Sequence, residues 1–150
     1  MTMSMDELRT QLSSIEPDES TYAGIGAEEV GLLRELLDDD EAWLAARAVH
    51  ALSRIDDPAA REVLAEAAAK PRMEVRVAVA SSAPNMPAET SDEVLSGLLA
   101  DDHDAVRKWA ISSVSERNSA AVRNQVTALA ANEPDDRLRS LATEKARTVS

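Results

Sequence analysis

Apolar residues along this chain come in pairs that return at a fixed interval. Leu32-Leu33 with Leu36-Leu37, Val63-Leu64 with Ala67-Ala68, Val94-Leu95 with Leu98-Leu99, and Gln125-Val126 with Leu129-Ala130 follow one another at steps of 31 residues. Positions i, i+1, i+4 and i+5 share one face of an α-helix, so each block predicts an amphipathic helix, here called an A helix. A second register follows each block. Leu44, Val75, Val106 and Leu138 anchor it, Ala48, Val79, Ala110 and Ala142 stand four positions later, and Leu52, Ala83, Val114 and Ala146 stand eight later. This is the buried stripe of a second helix, the B helix. Acidic or proline-bearing turns separate A from B at Asp38-Asp39-Asp40, Lys70-Pro71, Asp101-Asp102 and Glu133-Pro134. Asp56-Asp57-Pro58, Pro84-Asn85-Met86-Pro87 and Asn118 separate each B helix from the next A helix. Asp and Pro at such points stop one helix and start the next.

Helical hairpins of this size cannot each bury their apolar faces alone and must stack on neighbours. The expected fold is therefore all-α: a right-handed or curved α-solenoid of about four antiparallel helical hairpins over residues 28–150. Residues 1–27 fall outside the period. Ser4 and Glu7 have capping-box spacing, and Met5, Leu8, Leu12 and Ile15 lie on one helical face. A loop containing Pro17, Gly24 and Gly26 follows. The segment reads as a capping helix and loop over the first hairpin; the other reading is a detachable amphipathic segment that docks on a partner or a second copy.

Composition supports tightly packed helices. The 150 residues suit one domain, and the aromatics are Tyr22, Trp43 and Trp109, with no Phe. Ala and Leu, which dominate the apolar positions, are strong helix formers. The absence of cysteine removes disulfides, Cys-ligated metals and thiol nucleophiles. With a polar, acidic N-terminus and no long apolar run, a cytoplasmic protein without a membrane span is expected. The net charge of -12 opposes nonspecific attraction to nucleic acid. Up to residue 70 the chain carries 16 acidic and 6 basic residues, so most of the excess lies in the first half. Arg outnumbers Lys 13 to 3. The acidity is read as solvation of an Ala-rich surface, in keeping with a GC-rich or salt-adapted microbe.

The segments Leu44–Pro58 and Asp104–Ile111 resemble the short HEAT-like repeats of phycobilisome-lyase-type proteins, and Val75–Pro87 is similar to the leucine-rich-repeat-variant motif. The resemblance covers about residues 28–148. It implies a scaffold of stacked hairpins whose B helices line a concave surface. It brings no catalytic residue set, because such repeats serve scaffolds, enzyme subunits and regulators alike.

Several constellations invite a chemical reading and fail it. Gly24 and Gly26 begin like a dinucleotide fingerprint, but the third glycine and the preceding strand are missing. Asp38 to Glu41 lack the alternating ligands of a Ca²⁺ loop and read as helix-capping acids. His50 and His103 fall in different repeats without acids at ligand spacing. Ser81-Ser82 and Ser112-Ser113 have no nucleophile elbow. No cofactor, metal or catalytic residue is expected.

An arginine ladder is the most informative feature. One position after each B anchor stand Ala45, Arg76, Arg107 and Arg139, and six positions before those stand Asp39, Lys70, Asp101 and Glu133. In HEAT-like families, the resemblance implies, an Asp and an Arg at this spacing join turn to helix. Arg107 with Asp101 and Arg139 with Glu133 fit that role. Arg76 faces Lys70, a like charge, and becomes the candidate for a functional arginine, although Glu74 could satisfy it locally. Trp109 reads as core and Trp43 as partly exposed. Arg47 stands in an inward slot, marking an atypical terminal repeat or meeting an acid of the N-terminal segment. Lys145 is in a core slot of the last helix, where solvent replaces a next repeat.

The B positions left after the core is assigned include Val49, His50, Arg76, Ala80, Arg107, Lys108, Ile111, Arg139 and Thr143. With Trp43, this row predicts a mildly basic, partly apolar groove for an acidic or helical peptide, with Trp43, Val49, His50, Arg76, Arg107, Lys108, Ile111 and Arg139 as partner-binding residues. The expected function is a non-enzymatic protein-binding adaptor or regulatory scaffold. Alternatives are a lyase-type HEAT-repeat enzyme component, a nucleic-acid-binding HEAT-like protein, or an acidic inhibitor or DNA mimic. The missing cysteine and acid–base cluster weigh against the first and the net charge against the second.

Overall fold

A computed structural model describes residues 3–14 and 17–149. Among these the chain is all-helical, with nine α-helices and no strand. They are α1 (Met5–Leu12), α2 (Val30–Leu36), α3 (Ala42–Ser53), α4 (Pro58–Ala67), α5 (Met73–Ser82), α6 (Ala88–Leu98), α7 (Asp104–Ser113), α8 (Ala120–Asn132) and α9 (Asp136–Val149). The even-numbered helices are the expected A helices, and the odd-numbered ones from α3 onward are the B helices.

Helix ends fall where the sequence placed its punctuation. Asp57 caps α4 by accepting the Ala59 N–H at 2.8 Å, and Pro58 opens that helix, where its missing N–H costs nothing. Ser119 caps α8 through the Val122 N–H at 3.3 Å. In α1 the capping box closes reciprocally: Ser4 Oγ accepts from the Glu7 N–H, and Glu7 Oε1 accepts from the Ser4 N–H. Leu8 and Leu12 of α1 are fully buried, whereas Ile15 of the predicted stripe lies outside the described residues.

Consecutive helices pack in pairs, α2 with α3, α4 with α5, α6 with α7 and α8 with α9. Successive pairs touch as well. The A helices contact one another in order, and so do the B helices, with the B row the more closely packed. Ala45, Ala48, Ala78, Ala80 and Ala110, all buried on the B helices, supply the small side chains that such close approach needs. α1 packs against α3. The predicted stripes form the core: all four B anchors and all four residues at the next turn are buried. Of the third set, Leu52, Ala83 and Val114 are buried and Ala146 is half-buried, as suits the last helix. At about 1.5–3 kcal/mol for each large side chain taken out of water, this shared core is the main source of stability.

Polar side chains join the pairs at several places, Arg117 to the Pro84 and Met86 carbonyls among them. Asn118 is buried, donates to Ser91 Oγ at 3.1 Å and Asp92 Oδ1 at 2.9 Å, and accepts from the Ser115 N–H at 2.9 Å. The B-to-A turn at Asn118 is thereby tied to the preceding A helix. Another such place is the arginine ladder, which runs differently from its expected pattern.

Candidate functional site

Arg76 and Arg107 each bridge two turns. Arg76 Nη1 donates to the carbonyl of Lys70 in its own repeat at 2.9 Å, and its Nε and Nη2 donate to Asp101 of the next repeat at 2.8 and 3.1 Å. Arg107 repeats this one step along, with Nη1 on the Asp101 carbonyl at 2.9 Å and Nε and Nη2 on Glu133 at 3.0 and 2.9 Å. Arg139 takes the Glu133 carbonyl at 2.9 Å and turns its Nη2 to Asp136. The expected pairing of Arg107 with the Asp101 carboxylate, and of Arg139 with that of Glu133, is therefore corrected. The own-turn contact is to a backbone carbonyl, and the carboxylate is Glu133 of the following turn for Arg107 and Asp136 of its own helix for Arg139.

That correction removes the reason for singling out Arg76. Facing Lys70 is no conflict, because Arg76 uses only the Lys70 carbonyl, and Asp101 takes the charge in a fork-to-fork pair. The Arg76 and Asp101 side chains are 16% and 11% exposed, which leaves little of either for a partner. Arg107 and Glu133, at 16% and 1%, are equally committed. Arg76 and Arg107 are thus structural staples. Burial works against ionisation of Asp101, but the Arg76 guanidinium and the His103 N–H outweigh it and hold the carboxyl below the usual range. His103 caps α7, its Nδ1 accepting from the Ala105 N–H at 3.1 Å.

The B-helix face first expected to be open is also corrected. Val49, Ala80 and Ile111, five positions after their anchors, are fully buried. Trp109, expected in the core, is 42% exposed, and Trp43 is 45% exposed. Positions two, three and six after the anchor lie on this face: Ala46, Arg47 and His50 on α3, Val77, the buried Ala78 and Ser81 on α5, and Lys108, Trp109 and Ser112 on α7. The signal was in the sequence. The fifth column reads Val49, Ala80 and Ile111 in the first three repeats, apolar except for the exposed Thr143 of the last helix, whereas the sixth reads His50, Ser81, Ser112. Of the predicted partner-binding residues, Trp43, His50 and Lys108 remain on this face, and half-buried Arg139 lies one column away, beside its own turn.

A cleft of about 640 Å³ opens on the face between α3, α5 and the turn Glu19–Tyr22. Arg47 lies over the Trp43 ring, 5.2 Å from its centroid, and donates to the carbonyls of Leu12 and Ser14. Among the described residues, the charge in this inward slot is met by backbone oxygens. Trp43 Nε1 donates to Glu41 at 3.1 Å. Deeper in, the Tyr22 ring sits 4.7 Å from His50, with Arg54 5.4 Å from the Tyr22 centroid. Arg54 also donates to both oxygens of Glu19. That pairing holds the Glu19 carboxyl below its ordinary range. Burial, with the Arg54 charge, lowers the His50 pKa, so the imidazole is neutral at pH 7. Tyr22, Arg54 and Glu19 were not legible as site residues, since they meet only when the N-terminal segment folds over α3.

The face continues across α7 and α9, where a second opening of about 430 Å³ is lined by Lys108, Arg137 and Leu141 among others. Lys108 lies 5.9 Å from the Trp109 ring centroid. Among the described residues no cluster of His, Asp and Glu has the arrangement of a metal site, and no helix is long and apolar enough to cross a membrane. The face offers aromatic rings, cations and small apolar floors. No protein-family model matches the chain, and no curated protein matches it either, so its own geometry carries the functional reading.

Proposed function

We propose that the chain is a HEAT-like α-solenoid that binds a segment of another protein across the outward face of its B helices, acting by binding and not by catalysis. One observation carries this reading: Trp43 and Trp109 are both exposed, stand on the same B-helix face two helices apart, and each has a cation near its ring. Exposed tryptophan leaves apolar area in water and is enriched where interfaces form, and the cation drawn to each ring adds a charge that a partner can meet. At 8–10 Å between packed helices, the two rings are about 16–20 Å apart, the length of a short peptide segment. The floor between them, Val77, Ala78 and Ser81, is small and partly apolar.

Charge narrows the partner. The two openings are lined by Arg47, Arg54, Lys108 and Arg137 alongside Asp18, Glu19, Glu74, Asp104 and Asp135. Arg54 is held by Glu19 and Arg47 by backbone carbonyls, which leaves Lys108 and Arg137 to meet acids interspersed among a partner's apolar side chains.

A photo-crosslinking amino acid at Ser112, on this face, and at Glu62, on α4, tests the reading. Support is one identified protein captured from Ser112 and not from Glu62, through a segment of apolar and acidic residues, and lost in a Trp43→Ala/Trp109→Ala variant. Equal capture from both positions, or capture indifferent to the tryptophans, overturns it.

A further inference from the structure

The cleft is already occupied in part by the chain itself. Residues Glu19–Tyr22 form a 3-10 turn outside both helical rows. The turn is closed by its own hydrogen bonds and anchored to α1. Asp18 accepts from the Ser20 N–H at 2.9 Å and the Ser20 hydroxyl at 2.6 Å, and the Asp18 N–H donates to Thr21 Oγ1 at 3.0 Å. Gln11 donates to the carbonyls of the buried Thr21 and of Ala23, so that the Glu19 and Tyr22 side chains are the part free to be exchanged. It presents one acid and one aromatic ring, three residues apart, to α3. Glu19 takes the Arg54 guanidinium with both oxygens while its side chain stays 83% exposed, and the Tyr22 ring lies tilted at 50° against His50 beside the same arginine. An acid and an aromatic held by a forked cation and a neutral ring are what a short recognition motif offers its receptor.

We infer that the Glu19–Tyr22 turn is a ligand bound in cis, and that the partner segment carries an acidic residue three positions before an aromatic one and displaces the side chains of the turn from Arg54 and His50. This rests on the proposed binding face and names the chemistry it selects. Displacement is feasible because the ion pair is solvent-exposed and such pairs hold weakly. The turn competes by proximity, since a tethered segment acts at a high effective concentration. The free chain is therefore a poor receptor until the turn is outcompeted, and only a partner that adds contacts farther along, at Lys108 and Trp109, outcompetes it.

A fluorescent peptide with the sequence of residues 17–24 is titrated into the full chain and into a Glu19→Ala/Tyr22→Ala variant, with helicity checked by circular dichroism. The variant lacks the tethered competitor and binds at least about fivefold more tightly than the wild type. Adding Arg54→Ala abolishes that binding. Equal affinity for both proteins, no binding to either, or binding that survives Arg54→Ala overturns the inference. Glu19→Gln alone, with a smaller gain of the same sign, serves if the double variant loses helicity. The Ser112 crosslink separates the two levels: if it persists while the peptide fails, the cis-ligand idea falls and the binding face stands; if both fail, the face falls too.

Discussion

Arg9 of α1 donates to the carboxylate of Asp39, in the turn before α3, as Arg76 does to Asp101 and Arg107 to Glu133. Leu8 and Leu12 on either side are fully buried, so Leu8-Arg9-x-x-Leu12 matches Val75-Arg76-x-x-Val79 and Val106-Arg107-x-x-Ala110. The N-terminal helix thus supplies the rung that a preceding B helix would have given, although it stands outside the 31-residue period. The gap in the ladder is equally ordered. Ala45 replaces the arginine that would reach the second turn, and Lys70 replaces the acid it would have met. Arg72 fills the remaining place by donating to the Asp39 carbonyl, and Lys70 turns back to Asp38 at 3.1 Å.

The ladder makes a sharp stability prediction. Glu133 has a side chain only 1% exposed, and Arg107→Ala leaves its carboxylate buried without the guanidinium. Urea denaturation should show a loss of about 3 kcal/mol, most of which Glu133→Leu in the same chain restores. A loss confined to a few tenths of a kcal/mol would mean that water replaces the arginine.

The paired exception at Ala45 and Lys70 predicts non-additivity. Ala45→Arg alone places a cation in a packed site opposite Lys70 and destabilises. Adding Lys70→Glu supplies the missing acid, so the double-mutant cycle should give a favourable interaction of about 1 kcal/mol. Strict additivity would show that the two positions do not form a rung.

The corrected face predicts opposite behaviour for residues that look alike in sequence. Ile111→Ala empties a fully buried site and should cost about 3 kcal/mol. Trp109→Ala removes a larger side chain that is 42% exposed, and should cost less than Ile111→Ala while weakening partner capture. The reverse order in thermal or urea unfolding would return Trp109 to the core.

Acid sensitivity follows from the carboxylates. Asp101, Asp39 and Glu19 all have folded pKa values below their ordinary ones. Their stabilisation is fully present above the unfolded values near pH 4 and is lost as pH falls through the lower folded values, because the unfolded chain then binds more protons. Stability should drop steeply below about pH 4, and Asp101→Asn should flatten that slope.

His50 acts in a different window. Its folded pKa is lowered, chiefly by burial, so the unfolded chain takes up protons first. Stability should be full above about pH 6.5 and decline as pH falls from there toward the folded value. Urea midpoints measured from pH 7.5 to 5.5 should show this decline, and His50→Phe should reduce it. An unchanged slope would assign the effect elsewhere.

Much of this architecture could be read from residue order alone. A helix advances about 100° per residue, so apolar positions at steps of four fix which stripe is buried against the paired helix, and Leu44, Ala48 and Leu52 declared theirs. Ser4 with Glu7 and Asp57 with Pro58 declared their helix ends by short-range hydrogen bonding. What a B helix meets on its flanks is a separate question. Val49, Ile111 and Trp109 are all apolar, and periodicity within one helix does not say which of them faces a neighbouring helix and which faces solvent. The packing of the B helices on one another decides it: Val49, Ala80 and Ile111 are covered, whereas Trp109 is left exposed. The pairing of Arg76 with Asp101, 25 residues on, the service of Arg9 as a rung, and the meeting of Glu19 and Tyr22 with Arg54 and His50 belong to the same class. Each joins segments that local pattern treats as independent, and only the stacked chain brings them within hydrogen-bonding reach.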